Sequence, residues 1–344
     1  MIKILAIETS CDETAVAVVS EDKNVHFNRI ISQAQKHAKY GGIIPEIASR
    51  SHLDDLDSLL AELQLLQDFS YNNIDAIAVT AGPGLIGGLI VGVMYAKALS
   101  ATLKKPIIAV NHLEGHALTC RLTNDVEYPF LLLLVSGGHS QILIVNSVNE
   151  YIKLGTTLDD AVGEAFDKTA KMLGLGYPGG PVIEQRAKLG DKTKYKFPRP
   201  LSGQGMDLSF SGLKTSVLRQ IEKIEKLSEQ DINDICASFQ EAVKDVLCDK
   251  ISRAMLEFIA KHGTAKRSFV VSGGVAANQF ICNELKKLCN EHHFSFYAPP
   301  ISLCGDNAVM IAWAAIERFQ AGFIDDITFR PKSRWDLNSM SSYL

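Results

Sequence analysis

Short apolar runs and longer amphipathic runs alternate along the chain in one order, and that order occurs twice. Ile4–Thr9, Ala15–Val19 and Val25–Ile31 are apolar or β-branched runs of strand length and predict a three-strand meander. Helical spacing follows over Glu46–Gln67, then a strand at Ile74–Thr80, a glycine-rich turn, a helix at Ile86–Leu103 and a strand at Pro106–Val110. The second half predicts strands at Phe130–Val135, Ser140–Asn146 and Tyr151–Gly155, and a helix at Leu158–Leu173 that Gly174 and the Gly176–Pro181 run terminate. Residues 231–262 carry Ile235, Phe239, Val243, Val246, Ile251, Met255 and Phe258 at helical spacing, ending at Gly263. A strand at Phe269–Ser272, a helix at Asn278–Asn290, a strand at Phe294–Tyr297 and a helix at Asp306–Gln320 complete the pattern. Three strands, helix, strand, helix, strand, occurring twice, predicts a duplicated α/β lobe with a ligand cleft between the copies.

Two of the apolar runs empty into the same turn. Phe130–Val135 leads into Ser136-Gly-Gly138 and His139, and Ser268–Val271 leads into Ser272-Gly-Gly274 and Val275-Ala-Ala-Asn278. Glycines at strand ends expose backbone N–H groups with no Cβ in the way, which suits a phosphate or another anion. By element order, the counterpart of Val135–Gly138 in the first lobe is Glu8–Glu13, and that of Val271–Gly274 is Thr80–Gly84. Both glycine turns therefore belong to the second lobe and are expected to meet different ends of one ligand.

At 344 residues the chain has room for two domains, and 47% hydrophobic with 22% charged residues describes a globular protein. Thirty-five basic against 39 acidic residues gives a net charge of −4, so an RNA contact needs a local basic patch or a partner. Seven cysteines without a CxxC spacing argue for free thiols in a reducing compartment. The N-terminal apolar run reaches Glu8 too early for a signal peptide. Leu85–Met94 is too short to span a bilayer, and its Gly84, Gly88 and Gly92 series reads as close packing of a buried helix. No membrane association is expected.

Several clusters carry chemistry. His112 and His116 stand at i and i+4, one helical turn apart, where two imidazoles either share a metal or serve as cap and surface residues. Glu114 is one position too late for the metalloprotease HExxH pattern and faces elsewhere. Asp306 reads first as a helix N-cap and second as a third ligand; two His with one carboxylate suit Fe(II) or Zn(II). Asp12 and Glu13 sit on a Ser/Thr-rich turn, either solvated or at a phosphate and cation edge. Asp160, Glu164, Asp167 and Lys171 at i+3 or i+4 intervals read as the solvated face of a helix. Arg186–Arg199 is basic with Tyr195 and Phe197 interleaved, which suits single-stranded RNA or an exposed loop, and Arg330-Pro-Lys-Ser-Arg334 is a second basic run.

Taken together, Ile7–Thr14, Tyr40–Arg50, Gly82–Leu85, His112–His116, Val135–His139, Glu164–Lys168, Tyr177–Pro181, Ser209–Lys214, Ser272–Asn278 and Cys304–Asn307 resemble, in order and spacing, the bacterial tRNA N6-adenosine threonylcarbamoyltransferase family (TsaD, formerly labelled O-sialoglycoprotein endopeptidases). The resemblance covers nearly the whole chain. It implies the two-lobed α/β fold of actin, sugar kinases and heat-shock chaperones (ASKHA), with lobe I at residues 1–128, lobe II at 129–306, and residues 307–344 packed back on lobe I. It implies one divalent metal, Fe(II) in preference to Zn(II), on His112, His116 and Asp306. Substrate contacts carry over to Val135, Ser136, Gly137, Gly138, His139, Asp167, Gly180 and Asn278, and to Glu184, where the family often has Asp. Asp12 and Glu13 are the acids considered for the amine proton.

The implied reaction moves a threonylcarbamoyl group from threonylcarbamoyl-AMP to the N6 amine of the adenine 3′-adjacent to the anticodon, in tRNAs reading codons that begin with A, releasing AMP. The implied partners are tRNA, a smaller paralogous subunit (TsaB-like) and an ATPase subunit (TsaE-like), in the cytoplasm. A metallopeptidase using the paired histidines, a small-molecule kinase of the same fold and a non-catalytic scaffold are the competing readings.

Overall fold

The computed structural model describes residues 1–344 apart from Lys39, Gly41, Thr264, Tyr343 and Leu344. Gly41 of the Tyr40–Arg50 string and the last two residues of the 307–344 segment thus lie outside the described residues. The backbone divides into two compact units. Unit 1 is Met1–Asp125 with Ser147–Tyr151 and Gly305–Leu344, and unit 2 is Val126–Asn146 with Ile152–Cys304.

Unit 1 begins with β1 (Lys3–Glu8), β2 (Glu13–Ser20), β3 (Val25–Ser32), α1 (Ala34–Ala38), α2 (Pro45–Gln64), β4 (Ala76–Gly82), α3 (Ile86–Leu103), β5 (Ile107–Asn111) and α4 (His112–Thr123). The next stretch supplies β6 (Phe130–Val135), β7 (Ser140–Ser147), β8 (Glu150–Thr156), α5 (Val162–Met172), α6 (Gly179–Ala187), α7 (Ser211–Glu222), α8 (Glu229–His262), β9 (Ser268–Ser272), α9 (Gln279–His292) and β10 (Ser295–Tyr297). The chain then adds α10 (Ala308–Gln320) to unit 1.

The first sheet has the order β3-β2-β1-β4-β5 and the second β8-β7-β6-β9-β10. These orders are the same once the second copy's strands are matched to the first. In the first sheet β1 is antiparallel to β2, with Ile7 opposite Val16, and parallel to β4, with Ala6 opposite Ala78. In the second, β6 is antiparallel to β7, with Leu133 opposite Ile142, and parallel to β9, with Leu133 opposite Val271. The duplicated α/β lobe of the actin-like ATPase class is present in both units. Strands β4 and β6 are buried throughout and apolar apart from Thr80 in β4.

Each unit has its own core. Leu5, Ile7, Val16, Leu56, Val79 and Val93 anchor the first, and Leu131, Leu133, Phe166, Phe239, Val243 and Phe269 the second. α8 starts on a capping box in which Ser228 and Asp231 satisfy each other's backbone N–H groups.

Beyond the helices α1, α6 and α7, which the periodicity does not predict, two predicted helices depart from expectation. α5 starts at Val162 and not at Leu158, because Leu158 N–H donates to Leu208 O and Thr157 Oγ1 donates to Asp160 O, holding that segment extended. α3 is long and apolar enough to cross a membrane by length and composition, yet only 33% of it is buried. Its glycine face is the buried one, where a Cβ on Gly84, Gly88 or Gly92 would run into Ser10 or Thr9. Ile86, Ile90 and Met94 stand on the opposite face and are exposed.

Candidate functional site

In unit 1, α4 begins directly at the end of β5, and Asn111 Oδ1 caps it by accepting from Leu113 N–H at 2.9 Å. His112 and His116 therefore stand one turn apart on a single face, their ring centroids 4.8 Å apart and nearly perpendicular. Asp306 arrives from the start of α10. It is not the cap of that helix, because Asn307 Oδ1 takes that role by accepting from Met310 N–H at 2.9 Å. Asp306 Oδ1 instead lies 3.1 Å from His116 Nε2 and 3.4 Å from His112 Nε2.

The ligating atoms of all three residues lie within 4.8 Å of one another. Two nitrogen or oxygen ligands about 2.1 Å from a tetrahedral ion sit about 3.4 Å apart, so the donor set fits a divalent cation.

Behind His112, Glu8 Oε2 and Ser10 Oγ each lie 3.1 Å from Nδ1. With its proton on Nδ1 and donated to Glu8, the ring presents its Nε2 lone pair to the cluster. Glu8 is fully buried and further held by Thr80 Oγ1 and by Ser10 N–H at 2.5 Å. Burial disfavours charge on every member, but Asp306 and Glu8 beside it hold His112 well above the usual histidine range. Burial works against Asp306 too, and His112 with His116 keep it well below the carboxylate range. Two carboxylates, Glu8 fully buried and Asp306 partly so, converge here and call for positive charge between them, and the lone pairs of two imidazoles suit a metal cation.

The α3 glycines set this geometry from the other side, since they let the helix close on Thr9 and Ser10, and Leu85 N–H donates to Ser10 O at 2.8 Å. Asp12 is buried in the same turn. Burial, with the charges of Asp306 and Asp12 behind it, pushes Glu13 up to about 9.

Glu114, between the two histidines, is fully buried. It binds Arg318 at 3.1 Å, the Tyr151 hydroxyl at 2.8 Å and Asn149 N–H at 3.2 Å. It is thus a structural anchor and not a water-activating base.

In unit 2, β6 ends at Val135 and turns back at once: Ser136 N–H donates to His139 O at 2.8 Å and His139 N–H to Ser136 Oγ at 3.2 Å. Gly137 and Gly138 have open space where a Cβ would point. Gly163, in the first turn of α5, has none, because Ser136 O and Gly137 Cα are packed against it. The second Ser-Gly-Gly turn abuts the first: Gly273 has φ +93° and faces Val135 O at 2.5 Å from where a Cβ would be. One glycine of that turn serves packing, and Gly274 beside it is open.

Asn278 Oδ1 caps α9 by accepting from Ile281 N–H at 3.0 Å, and its Nδ2 donates to Gln240 Oε1 at 2.9 Å. Glu184 Oε1 accepts from Gln279 N–H at 2.8 Å and Phe280 N–H at 3.3 Å. Glu184 lines a groove of about 360 Å³ with Lys188, Gln240, Gln279 and Asn283, and Asn278 is bonded to Gln240 of that lining. Asp167 Oδ1 accepts from Gly179 N–H at 2.7 Å, with burial pushing its carboxyl up, and Gly180 next door faces open space.

The sequence matches the family profile described as "TsaD: tRNA N6-adenosine threonylcarbamoyltransferase" over residues 24–313. The chain belongs to the TsaD family. A relative named tRNA N6-adenosine threonylcarbamoyltransferase from Sinorhizobium medicae (strain WSM419) is 52% identical over 349 residues, covering 99% of this chain and 97% of that protein. One of the same name from Brucella anthropi is 51% identical over 348 residues, with 99% and 97% covered. Among solved structures, HypF from T. kodakarensis superposes with a TM-score of 0.62 at 14% identity, over 93% of this chain and 48% of that one. A full-length HypF in its phosphate- and nucleotide-bound form gives 0.59 at 13% identity, over 94% and 47%. At such identities these two speak for the fold alone. Membership of TsaD makes the chain an acyltransferase-type enzyme of tRNA modification.

Three features of this TsaD chain were not legible beforehand or read differently. Glu8, Ser10 and Thr80 form the support behind His112, and the available signal was an acid ending an otherwise apolar strand. The basic-aromatic segment does not offer its rings: Phe197 is buried in the core, and Tyr195 packs against that core and reaches Asp231 with its hydroxyl. Three of its six cations, Arg186, Lys192 and Arg199, pair with Glu229, Glu241 and Asp245. Of the acids expected on a solvated helix face, Asp160 is clamped by Lys168 at 2.9 Å and Lys214 at 2.8 Å, and Asp167 is bound to Gly179.

Proposed function

We propose that the chain transfers the threonylcarbamoyl group of threonylcarbamoyl-AMP to the N6 amine of the adenine 3′-adjacent to the anticodon, in tRNAs reading codons that begin with A, releasing AMP. Within the family assignment, the observation that carries this reading is the gathering of His112, His116 and Asp306 ligand atoms within 4.8 Å. A divalent cation held there, Fe(II) in preference to Zn(II), would supply Lewis-acid polarisation of the threonylcarbamoyl group.

The chain's own residues do the rest. Glu8 fixes the tautomer and angle of His112. The N–H groups of Gly137 and Gly138, beside which a Cβ would meet only open space, receive the oxygen charge that develops as the N6 nitrogen attacks the carbonyl carbon. The new N–C bond forms as the bond to the phosphate oxygen breaks, and AMP leaves with the electron pair. We assign the displaced amine proton to the Asp12–Glu13 pair. Val135–His139 take the acyl and phosphate end, and Asp167, Gly180, Glu184 and Asn278 the adenosine end, with Glu184 Oε2 on a ribose hydroxyl. The adenine lone pair is delocalised into its ring, so an activated donor such as a mixed anhydride with AMP is required. A base already in a loop also costs less to present than one flipped from a duplex.

The assembly we expect joins this chain to a smaller TsaB-like paralogue and a TsaE-like ATPase subunit in the cytoplasm. Reaction of the assembly with synthetic threonylcarbamoyl-AMP and an unmodified tRNA transcript tests the chemistry. One AMP per modified adenine is expected; AMP release without modification contradicts the reading.

A further inference from the structure

The second basic run is a sequence motif that the site above leaves unused. Arg330-Pro-Lys-Ser-Arg334 crosses unit 1 as an extended strap, and its backbone is fixed at several points. Lys97 Nζ donates to Phe329 O at 2.5 Å, Lys332 N–H to Ala81 O at 2.7 Å, Gly84 N–H to Ser333 O at 3.2 Å and Asn111 Nδ2 to Trp335 O at 3.1 Å. Gly82, at φ +146°, lies so close under Lys332 O that no side chain fits there. Lys332 Nζ stands over the Trp335 ring at 4.9 Å.

Arg330 and Arg334 are exposed, and among the described residues neither forms an ion pair. The acids flanking the strap are engaged elsewhere. Asp325 Oδ2 accepts from Ala109 N–H at 2.8 Å, Asp326 Oδ1 from Thr328 N–H at 2.8 Å and Asp336 Oδ1 from Asn338 N–H at 3.1 Å. This contrasts with the 186–199 segment, whose two arginines, Arg186 and Arg199, are already paired and whose exposed cations without an ion pair among the described residues, Lys188, Lys194 and Lys196, are all lysines.

The strap is also tied to the metal-ligand cluster. Asn111, which holds Trp335 O, immediately precedes His112; Gly84, which holds Ser333 O, is followed by Leu85, bonded to Ser10, whose hydroxyl reaches His112. Arg330 and Arg334 thus present two exposed guanidinium groups without an ion pair among the described residues, on a segment bonded to the residues that position the ligand cluster.

We propose that the 330–334 strap binds the phosphate backbone of the RNA substrate, Arg330 and Arg334 each holding a phosphate near the base presented to His112, His116 and Asp306. Guanidinium groups suit this because they bind phosphate oxygens in a bidentate fork. The proposal rests on the tRNA reading above and deepens it.

The test is fluorescence-anisotropy titration of an unmodified tRNA transcript with the full assembly over a series of KCl concentrations. The double variant R330Q/R334Q is compared with K194Q/K196Q, an equal charge change on the other basic segment. Loss of two phosphate contacts should weaken binding about 10- to 100-fold near physiological salt and flatten the log–log salt slope by about 1.4. K194Q/K196Q should stay within about twofold of wild type, and Co(II) affinity and thermal unfolding should be unchanged in both variants.

An unaltered salt slope in R330Q/R334Q, an equal loss in both variants, loss of a protein subunit and not of tRNA, or no binding by the wild-type assembly would each overturn the strap. A wild-type assembly that binds the transcript but never modifies it would defeat the functional reading while leaving the strap to be judged on binding alone.

Discussion

Arg318 Nη1 lies 3.1 Å from Glu114 Oε2, and the pair is buried between α4 and α10. These two helices carry the candidate ligands: His112 and His116 on α4, and Asp306 just before α10. Gly115 lets them close, since a Cβ there would meet Ile311 Cδ1 at 2.9 Å and Met310 Cγ at 3.1 Å. Arg318→Met would leave a buried carboxylate unpaired, a loss of about 3–5 kcal/mol. We predict a lower Tm and reduced metal retention after dialysis, both largely restored in E114Q/R318M. Full metal retention in R318M at wild-type Tm would show that the pair does not hold the helices in place.

The glycines divide into packing and open positions, and the two classes predict opposite phenotypes. Gly88→Ala drives a methyl into Thr9 O and should cost about 1–3 kcal/mol while displacing the turn that supports His112. Gly138→Ala meets nothing. It should leave Tm within about 1 °C yet cut turnover at least about tenfold, because the new Cβ stands where a ligand approaches the amides. Thermal unfolding and single-turnover rates on the two variants separate the classes.

Asp160 gives a pH signature. Burial works to raise its pKa, but hydrogen bonds and charge from Lys214 and Lys168 win and hold it below the usual carboxylate value. A group depressed on folding contributes stability that is complete above its unfolded pKa, about 3.9, and is lost as pH falls through the folded value. Asp160→Asn should therefore cost about 1 kcal/mol at neutral pH and make the acid arm of the stability curve shallower below about pH 4. Equal loss of stability at pH 3 and pH 7 would speak against the ion pairs.

Metal should stabilise the wild-type chain by mass action, about 2.7 kcal/mol at a concentration 100 times Kd. His116→Ala should fold without showing this shift. Glu8→Gln should bind about 10- to 100-fold more weakly, since it loosens the ring that it orients. Thermal scans with and without Co(II) or Zn(II) read all three. An undiminished shift in His116→Ala would place the metal elsewhere.

Period and order carried most of the fold. The strands could be placed to within a residue or two because central strands buried on both faces read as unbroken apolar runs, and their repeated order led to the duplication. α5 was overextended because the bonds of Leu158 to Leu208 and Thr157 to Asp160 are tertiary, and periodicity does not see them. α6 was missed because two glycines open it. In the candidate site, the paired histidines were visible by spacing. Asp306, 190 residues from His116, could be joined to them only through the resemblance, and the residue after it proved to be the helix cap. Glu8 went unnoticed because a lone acid at a strand end looks like turn polarity until the chain is folded around it.

The most direct test is nucleoside mass spectrometry of a tRNA transcript incubated with this chain, TsaB-like and TsaE-like subunits, threonine, bicarbonate, ATP and an enzyme that makes the adenylate. The account predicts N6-threonylcarbamoyladenosine at the position 3′ to the anticodon with wild type, and its loss with His116→Ala. An unmodified adenine under conditions where the Sinorhizobium medicae relative modifies the same transcript would contradict it.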